Sequence, residues 1–188
     1  RDGRVRVLFF GRVHRYKGLG HLMEAARRVL AAAPEVRFVI AGTGDDLAPY
    51  RTGADPQRVE FIDRYVPDEE VAQLFLDADL VVLPYIAASQ SGVLALAAAF
   101  SKPAIVTRVG GLPEIVEAGA MGLVVPPADP GALAAAILRL AGDSDERARL
   151  GRNAERFAET TISHRTVGAR ALEIYRAVLA ARQSGRRN

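Results

Sequence analysis

The sequence predicts an α/β chain built on a doubly wound parallel sheet of about six strands, and three observations carry that expectation. Apolar runs of strand length alternate with stretches of helical period along the 188 residues. The runs are continuously apolar rather than alternating, as expected where helices cover both faces of a parallel sheet. Apolar residues make up 49% of the chain, enough for a packed core and too many for a disordered one. Strands that alternate with helices read as βαβ units, hence a Rossmann-like arrangement. There is no internal repeat and no low-complexity linker, so residues 1–188 read as a single domain.

The first strand is Val5–Phe10 (VRVLFF). Leu19, Leu22, Met23, Ala26, Val29 and Leu30 then keep the spacing of a helix with one buried face. Val36–Ala41 is a second strand, ended by the turn signal GTGDD, and Val59–Ile62 a third. Pro67, Asp68, Glu69 and Glu70 open a helix with acids where its dipole favours them, and Val71, Leu74, Phe75 and Ala78 form its inner stripe. Leu80–Leu83, Ala104–Thr107 and Gly122–Val125 complete the strands. Asp129 and Pro130 cap and begin a helix that turns Leu133, Ala136, Ile137 and Leu140 inward. Two C-terminal helices come last, over Ser144–Phe157 and over 163–182. In the final one, Val167, Ala171, Ile174 and Val178 form one stripe, extended by Leu172, Tyr175 and Leu179.

Several function classes fall away. Without cysteine there is no disulfide, thiolate metal site or cysteine nucleophile. The formal charge is only +3 and aromatics are 6%, so no basic face interleaved with aromatics points to nucleic acid. No apolar run approaches the roughly 20 residues that span a bilayer, and no leader pattern precedes the first strand. These features predict a cytoplasmic chain. It begins at Arg1 and has the pattern of an excised domain. No Walker A lysine motif, nucleophile elbow or metal-ligand spacing occurs; His14, His21 and His164 are scattered, and Gly42-Thr43-Gly44 is half a dinucleotide fingerprint.

Ligands of open α/β sheets bind outside the carboxyl ends of the strands. There the first loop, GRVHRYKG, carries Arg12 and Lys17, and the loop after the fourth strand carries Ser89, Gln90, Ser91 and Gly92 before a run of small helix formers. Ordinary N-capping by Ser89 or Ser91 is one account of that segment; an anion at the free N–H groups of a helix start is the other. For Arg12 and Lys17 the plain alternative is a solvated charged turn. Two cations facing one helix N-terminus are better explained by a diphosphate, bound by the arginine's planar fork and the lysine's point charge. His14 and Arg15 read as solvent or rim residues, and Asp63 and Arg64 as loop residues with a surface role.

The order of motifs FFGRVHRYKGLGHLMEA, VIAGTGDDL, ADLVVLPY and SKPAIVTRVGGLPEIV resembles the C-terminal domain of glycosyltransferase family 4, retaining enzymes of the two-domain GT-B fold. The likeness covers residues 4–180. It implies that this half binds a nucleotide-sugar donor, a UDP-, GDP- or ADP-sugar, with no further cofactor and no metal, and that an N-terminal acceptor domain is absent here. By position, Arg12 and Lys17 match the pair that holds the donor diphosphate and stabilises it as leaving group. Gly11 matches the glycine that lets the backbone come close. Thr43 and Gly44 match the loop near the nucleotide, and Tyr65 and Val66 the segment whose backbone meets the base. Ser91, Gly92 and Val93 match the helix start beneath the phosphates, with Ser89 and Gln90 ahead of it.

One departure stands out. The family carries two glutamates at this helix start; counting back from Pro103, the second falls on Leu96 and the first near Ala88. Either the ASQSGV segment supplies hydroxyl and amide contacts instead, or donor binding and activity are weakened. The resemblance therefore implies transfer of a hexose to a glycan or lipid acceptor by a bacterial-type enzyme, with the isolated domain inactive. A lipid acceptor would bring the full-length protein to the inner face of the membrane. The C-terminal helix crosses back towards the N-terminal domain in such enzymes, leaving an apolar patch here; packing on its own domain is the alternative. A nucleotide-sugar epimerase-like enzyme and a non-catalytic nucleotide- or partner-binding module are the other readings.

Overall fold

The computed structural model describes residues 3–163, together with Thr166, Leu172 and Tyr175. Six parallel strands, β1 (Val5–Phe10), β2 (Val36–Ala41), β3 (Val59–Ile62), β4 (Leu80–Leu83), β5 (Ala104–Thr107) and β6 (Gly122–Val125), form one sheet in the order β3-β2-β1-β4-β5-β6. Every expected strand is present with its expected limits.

Helices α1 (Leu19–Ala32), α2 (Ala48–Arg51), α3 (Asp68–Asp77), α4 (Gly92–Ala99), α5 (Leu112–Gly119), α6 (Pro130–Gly142) and α7 (Ser144–Phe157) connect and cover the strands. The short α2 has no apolar period of its own and is not foreseen from the sequence. Two further single turns are a 3-10 helix at Arg15–Lys17 and a π-helix at Ala158–Ile162. The expected helix over 163–182 lies outside the described residues, apart from Ser163, Thr166, Leu172 and Tyr175; the last two are exposed. No helix among the described residues is long and apolar enough to cross a membrane.

The continuous apolar strands have a direct cause. Alternate residues of each strand point to opposite faces, and here both faces are buried. Val7, Phe9, Leu80, Val82 and Ile105 join α1 and α6 in one core. Leu8, Val81, Leu83, Ala104 and Val106 join α3, α4, α5 and α7 in the other. The second core holds an aromatic seam, with Phe10 edge-on to Phe75 at 5.5 Å and Phe75 stacked on Phe100 at 5.4 Å.

Local signals set the ends of several helices. Asp129 accepts from the Ala132 N–H at 2.9 Å ahead of Pro130, and Asp143 accepts from Glu146 at 2.8 Å to start α7. Arg58 donates to the carbonyls of Leu30 and Ala33 at 2.7 and 3.0 Å, placing a cation at the negative end of α1.

α7 reaches the sheet through Gly151, where a Cβ would stand 2.6 Å from the Ser101 carbonyl oxygen. Gly151→Ala must therefore push α7 away from the turn before β5. We expect a loss of about 1–3 kcal/mol of stability, read as a lower midpoint in thermal or denaturant unfolding; an unchanged midpoint would contradict this packing.

Candidate functional site

The strand order reverses between β1 and β4, so the chain leaves these neighbouring strands towards opposite sides of the sheet. The crevice outside the carboxyl ends at such a point is where open α/β sheets hold ligands. Two loops meet there, 11–18 after β1 and 84–91 after β4.

The first loop is laced to the loop after β2. The N–H groups of Gly11 and Val13 donate to the carbonyls of Ala41 and Thr43 at 3.0 and 2.9 Å, and Asp45 N–H returns a bond to Val13 at 2.7 Å. The backbones lie so close that a Cβ on Gly42 would stand 1.9 Å from the Gly11 oxygen. Asp45 adds side-chain anchors, with Oδ1 3.3 Å from His14 Nδ1 and Oδ2 accepting from Arg15 N–H at 3.0 Å. His14 and Arg15 thus sit at the rim. The 3-10 turn then ends on Gly18 in the left-handed region, and α1 starts there.

That turn aims Lys17 into the crevice. Its Nζ donates to Tyr85 Oη at 2.8 Å and lies 4.2 Å from the centroid of the same ring. Tyr85 is 2% exposed, and its Oη stands 3.2 Å from Ser91 Oγ. Thr107, at the end of β5, donates to the Tyr85 carbonyl at 2.5 Å and is the buried polar side chain among the described residues.

Ser91 is the N-cap residue of α4, and no side chain caps that helix. Ordinary capping by Ser89 or Ser91 is therefore not what this segment does. The first turn of α4 keeps its partial positive charge unanswered. Gly11, at φ 115°, faces it: the place of a Cβ there is 3.5 Å from Val93 Cγ2 and 3.9 Å from Lys17 Nζ. Gly11, Lys17 and the start of α4 converge on one spot.

Beside Gly11 an open cleft of about 280 Å³ runs between the loops after β1, β2 and β3, lined by Arg12, Thr43, Arg64, Tyr65 and Val66 among others. Arg12 is exposed and has no ion pair among the described residues. Tyr65 is 74% exposed, whereas the Val66 side chain packs into the second core. Arg64 grips Glu70 through both guanidinium ends, at 2.5 and 3.2 Å, and the Tyr65 carbonyl at 3.2 Å, so it fixes the cleft's far wall. Asp63 instead pairs with Arg51 at 3.3 Å on the surface. The hydrogen bond from Arg64, with its charge, holds the Glu70 carboxyl below the usual carboxylate range.

Some expected residues lie to the side. Gly44 forms a bridge with Val13 and is not in the cleft wall. Ser89 accepts from Gly111 N–H at 3.0 Å, and Gln90 Nε2 lies beside Gly111, so both tie α4 to the start of α5. Ala88 packs its carbonyl against Gly110, and Leu96 is half-buried against the second core.

Tyr85, Thr107 and Asp45 are the residues that sequence reasoning does not reach. A tyrosine closing the wholly apolar run LVVLP is the available signal, because a buried hydroxyl must find a partner. A larger cavity, about 430 Å³, lies at the amino ends of β4 and β5 by Asp79, Lys102 and Arg152. Its walls carry both charges, and no loop of the carboxyl edge reaches it.

A family profile described as Glycosyl transferases group 1 matches residues 4–143. A curated D-inositol 3-phosphate glycosyltransferase of Corynebacterium glutamicum (strain R) is 35% identical over 164 residues, covering 82% of this chain and 39% of that protein. Sucrose-phosphate synthase from Thermosynechococcus elongatus superposes with a TM-score of 0.75 at 27% identity, over 95% of this chain and 46% of that one. Anabaena HepE, solved in complex with UDP, superposes with a TM-score of 0.79 at 22% identity, over 93% and 49% of the two chains. The chain thus spans less than half the length of each of these three proteins.

The Arg64 contact makes a prediction about pH. Because the Glu70 carboxyl is held low in the folded state, its ion pair contributes above the ordinary carboxylate range and is lost as pH falls through the lowered folded value. In an NMR titration Glu70 should protonate below the ordinary carboxylate range, and Arg64→Ala should return it to that range. Identical titration in both proteins would contradict the pairing.

Proposed function

The chain belongs to the group 1 glycosyl transferases, and we propose that it is the half of such an enzyme that holds the nucleotide-diphosphate-sugar donor. The observation that carries this reading is the convergence of Lys17, Gly11 and the uncapped start of α4, with Arg12, which has no ion pair among the described residues, alongside. Two cations and a helix N-terminus around a residue without a side chain suit two linked phosphates. The adjoining cleft, with Thr43, Tyr65 and Val66 in its wall, receives the nucleoside. Its 280 Å³ falls just short of the roughly 300–1,000 Å³ of complete ligand sites. That size fits a site with one wall supplied by an N-terminal acceptor domain, the missing partner.

In transfer, the bond between the sugar's anomeric carbon and the diphosphate oxygen breaks, and its electron pair stays on the diphosphate. Arg12, Lys17 and the Gly92 N-terminus oppose that developing charge. The sugar, which we take to be a hexose, forms its new bond to an acceptor hydroxyl oxygen on a glycan or lipid with its anomeric configuration retained, and the hydroxyl proton leaves to the departing diphosphate oxygen. These groups supply the charge without a metal or other cofactor. The 188-residue chain, holding donor only, is expected to show no transfer by itself. We place the enzyme in the cytoplasm, peripheral to the inner face of the membrane when its acceptor is a lipid.

A second reading is favoured by one observation. Leu96 is packed apolar side chain and Ala88 backbone packing, where the family resemblance implies sugar-binding glutamates. A non-catalytic nucleotide-binding module would have that pattern. Activity of the full-length protein, present or absent, and its loss in Arg12→Ala, decides between the two.

Calorimetric titration with UDP, GDP and ADP tests donor binding. One of them should bind, and Arg12→Ala and Lys17→Ala should each weaken it on the order of ten- to a hundredfold. No binding, or binding indifferent to both substitutions, would overturn the assignment.

A further inference from the structure

We propose that Tyr85 is a positioning residue for the donor diphosphate, acting through Lys17 and Ser91; this rests on the donor-binding reading above. Its hydroxyl accepts from Lys17 Nζ at 2.8 Å, and the ring centroid lies 4.2 Å from the same atom. An ammonium has three donors, so one spent on Tyr85 leaves two for phosphate oxygens. Tyr85 cannot drift, because its carbonyl is held by Thr107 and its side chain is buried in the second core.

The effect on Ser91 is less obvious. Its backbone, at φ −143° and ψ 118°, has the extended conformation of a capping serine. A serine so placed ordinarily accepts a hydrogen bond from an N–H of the first helical turn and so occupies the donors an anion would use. Here Ser91 Oγ stands 3.2 Å from Tyr85 Oη and caps nothing. Either hydroxyl could donate in that contact; we take Tyr85 as the donor, because a buried phenol proton needs an acceptor and Ser91 Oγ stands beside it. One phenol thus orients a cation and withdraws a competing acceptor from the helix start.

Tyr85→Phe keeps the ring and removes the bridge. Lys17 loses one anchor, and Ser91 is free to cap α4 in competition with the ligand. The probe is whichever of UDP, GDP and ADP binds the unsubstituted chain most tightly, with its parent nucleoside as control. Tyr85→Phe should weaken the diphosphate about three- to tenfold and leave the nucleoside unchanged. Adding Ser91→Ala removes the competing cap, so the double variant Tyr85→Phe/Ser91→Ala should bind the diphosphate more tightly than Tyr85→Phe alone. A purely structural role for Tyr85 would lower nucleoside and diphosphate affinity together and would not be rescued by losing a second hydroxyl.

Unchanged diphosphate affinity in Tyr85→Phe, an equal loss for the nucleoside, or a double variant no better than the single one each overturns the proposal. If the unsubstituted chain binds no nucleoside diphosphate, this inference and the donor reading fall together. If it binds one and responds to Arg12→Ala and Lys17→Ala but not to Tyr85→Phe, the Tyr85 inference falls alone.

Discussion

The reversal of strand order between β1 and β4 is the constraint on which the rest depends, because it sends the chain from these two neighbouring strands to opposite sides of the sheet and leaves a crevice outside their carboxyl ends. β1 is paired on both sides, to β2 over its whole length and to β4 through Val7 and Leu8. Its carboxyl end is thus fixed in the middle of the sheet, and the chain after Phe10 must turn within a narrow space. The backbone contact between Gly11 and Gly42 closes one side of that space. The other side is bridged by a chain of polar atoms running from Lys17 through Tyr85 to Ser91.

Electrostatically the edge is cationic. Elsewhere on the surface several arginines are matched by acids, as in Arg28 with Glu24, Arg51 with Asp63 and Arg139 with Glu146. Such exposed pairs contribute little to stability. Within the crevice the pattern changes: Lys17 is held by a neutral phenol, and Arg12 has no acid partner among the described residues. A cation held by a neutral partner retains its charge for a ligand, whereas one matched to a carboxylate does not. The same economy appears at α4, whose serine is turned to Tyr85 instead of to the helix.

The sheet was legible because burial on both faces leaves no room for polar alternation, so each strand is a run such as LVVL or AIVT bounded by turn residues. α1 and α6 were legible for the opposite reason, a single buried stripe with solvent behind it. Of the site, Gly11, Arg12, Lys17, Thr43, Tyr65, Val66, Gly92 and Val93 stand around the crevice and its cleft as their order in the chain suggests. Gly44 and Ser89 are diverted by backbone pairing, and the Gln90 side chain by its place beside Gly111, which only the folded loops reveal. Tyr85 was hidden because it ends an apolar strand and its partners are 68 residues before it and 6 after. Ser91 misleads for a related reason: its type and position predict a cap, and a tertiary contact takes its hydroxyl elsewhere.

The central claim is spatial, that a diphosphate sits between the first loop and the start of α4. The amide NMR spectrum of the chain, recorded as a nucleoside diphosphate is added, addresses it most directly. The resonances of Gly11, Gly92 and Val93 should move most, with smaller changes at Thr43 and Tyr65. Still resonances at those glycines, with the large changes at the amino ends of the strands around Arg58 or Lys102, would contradict it.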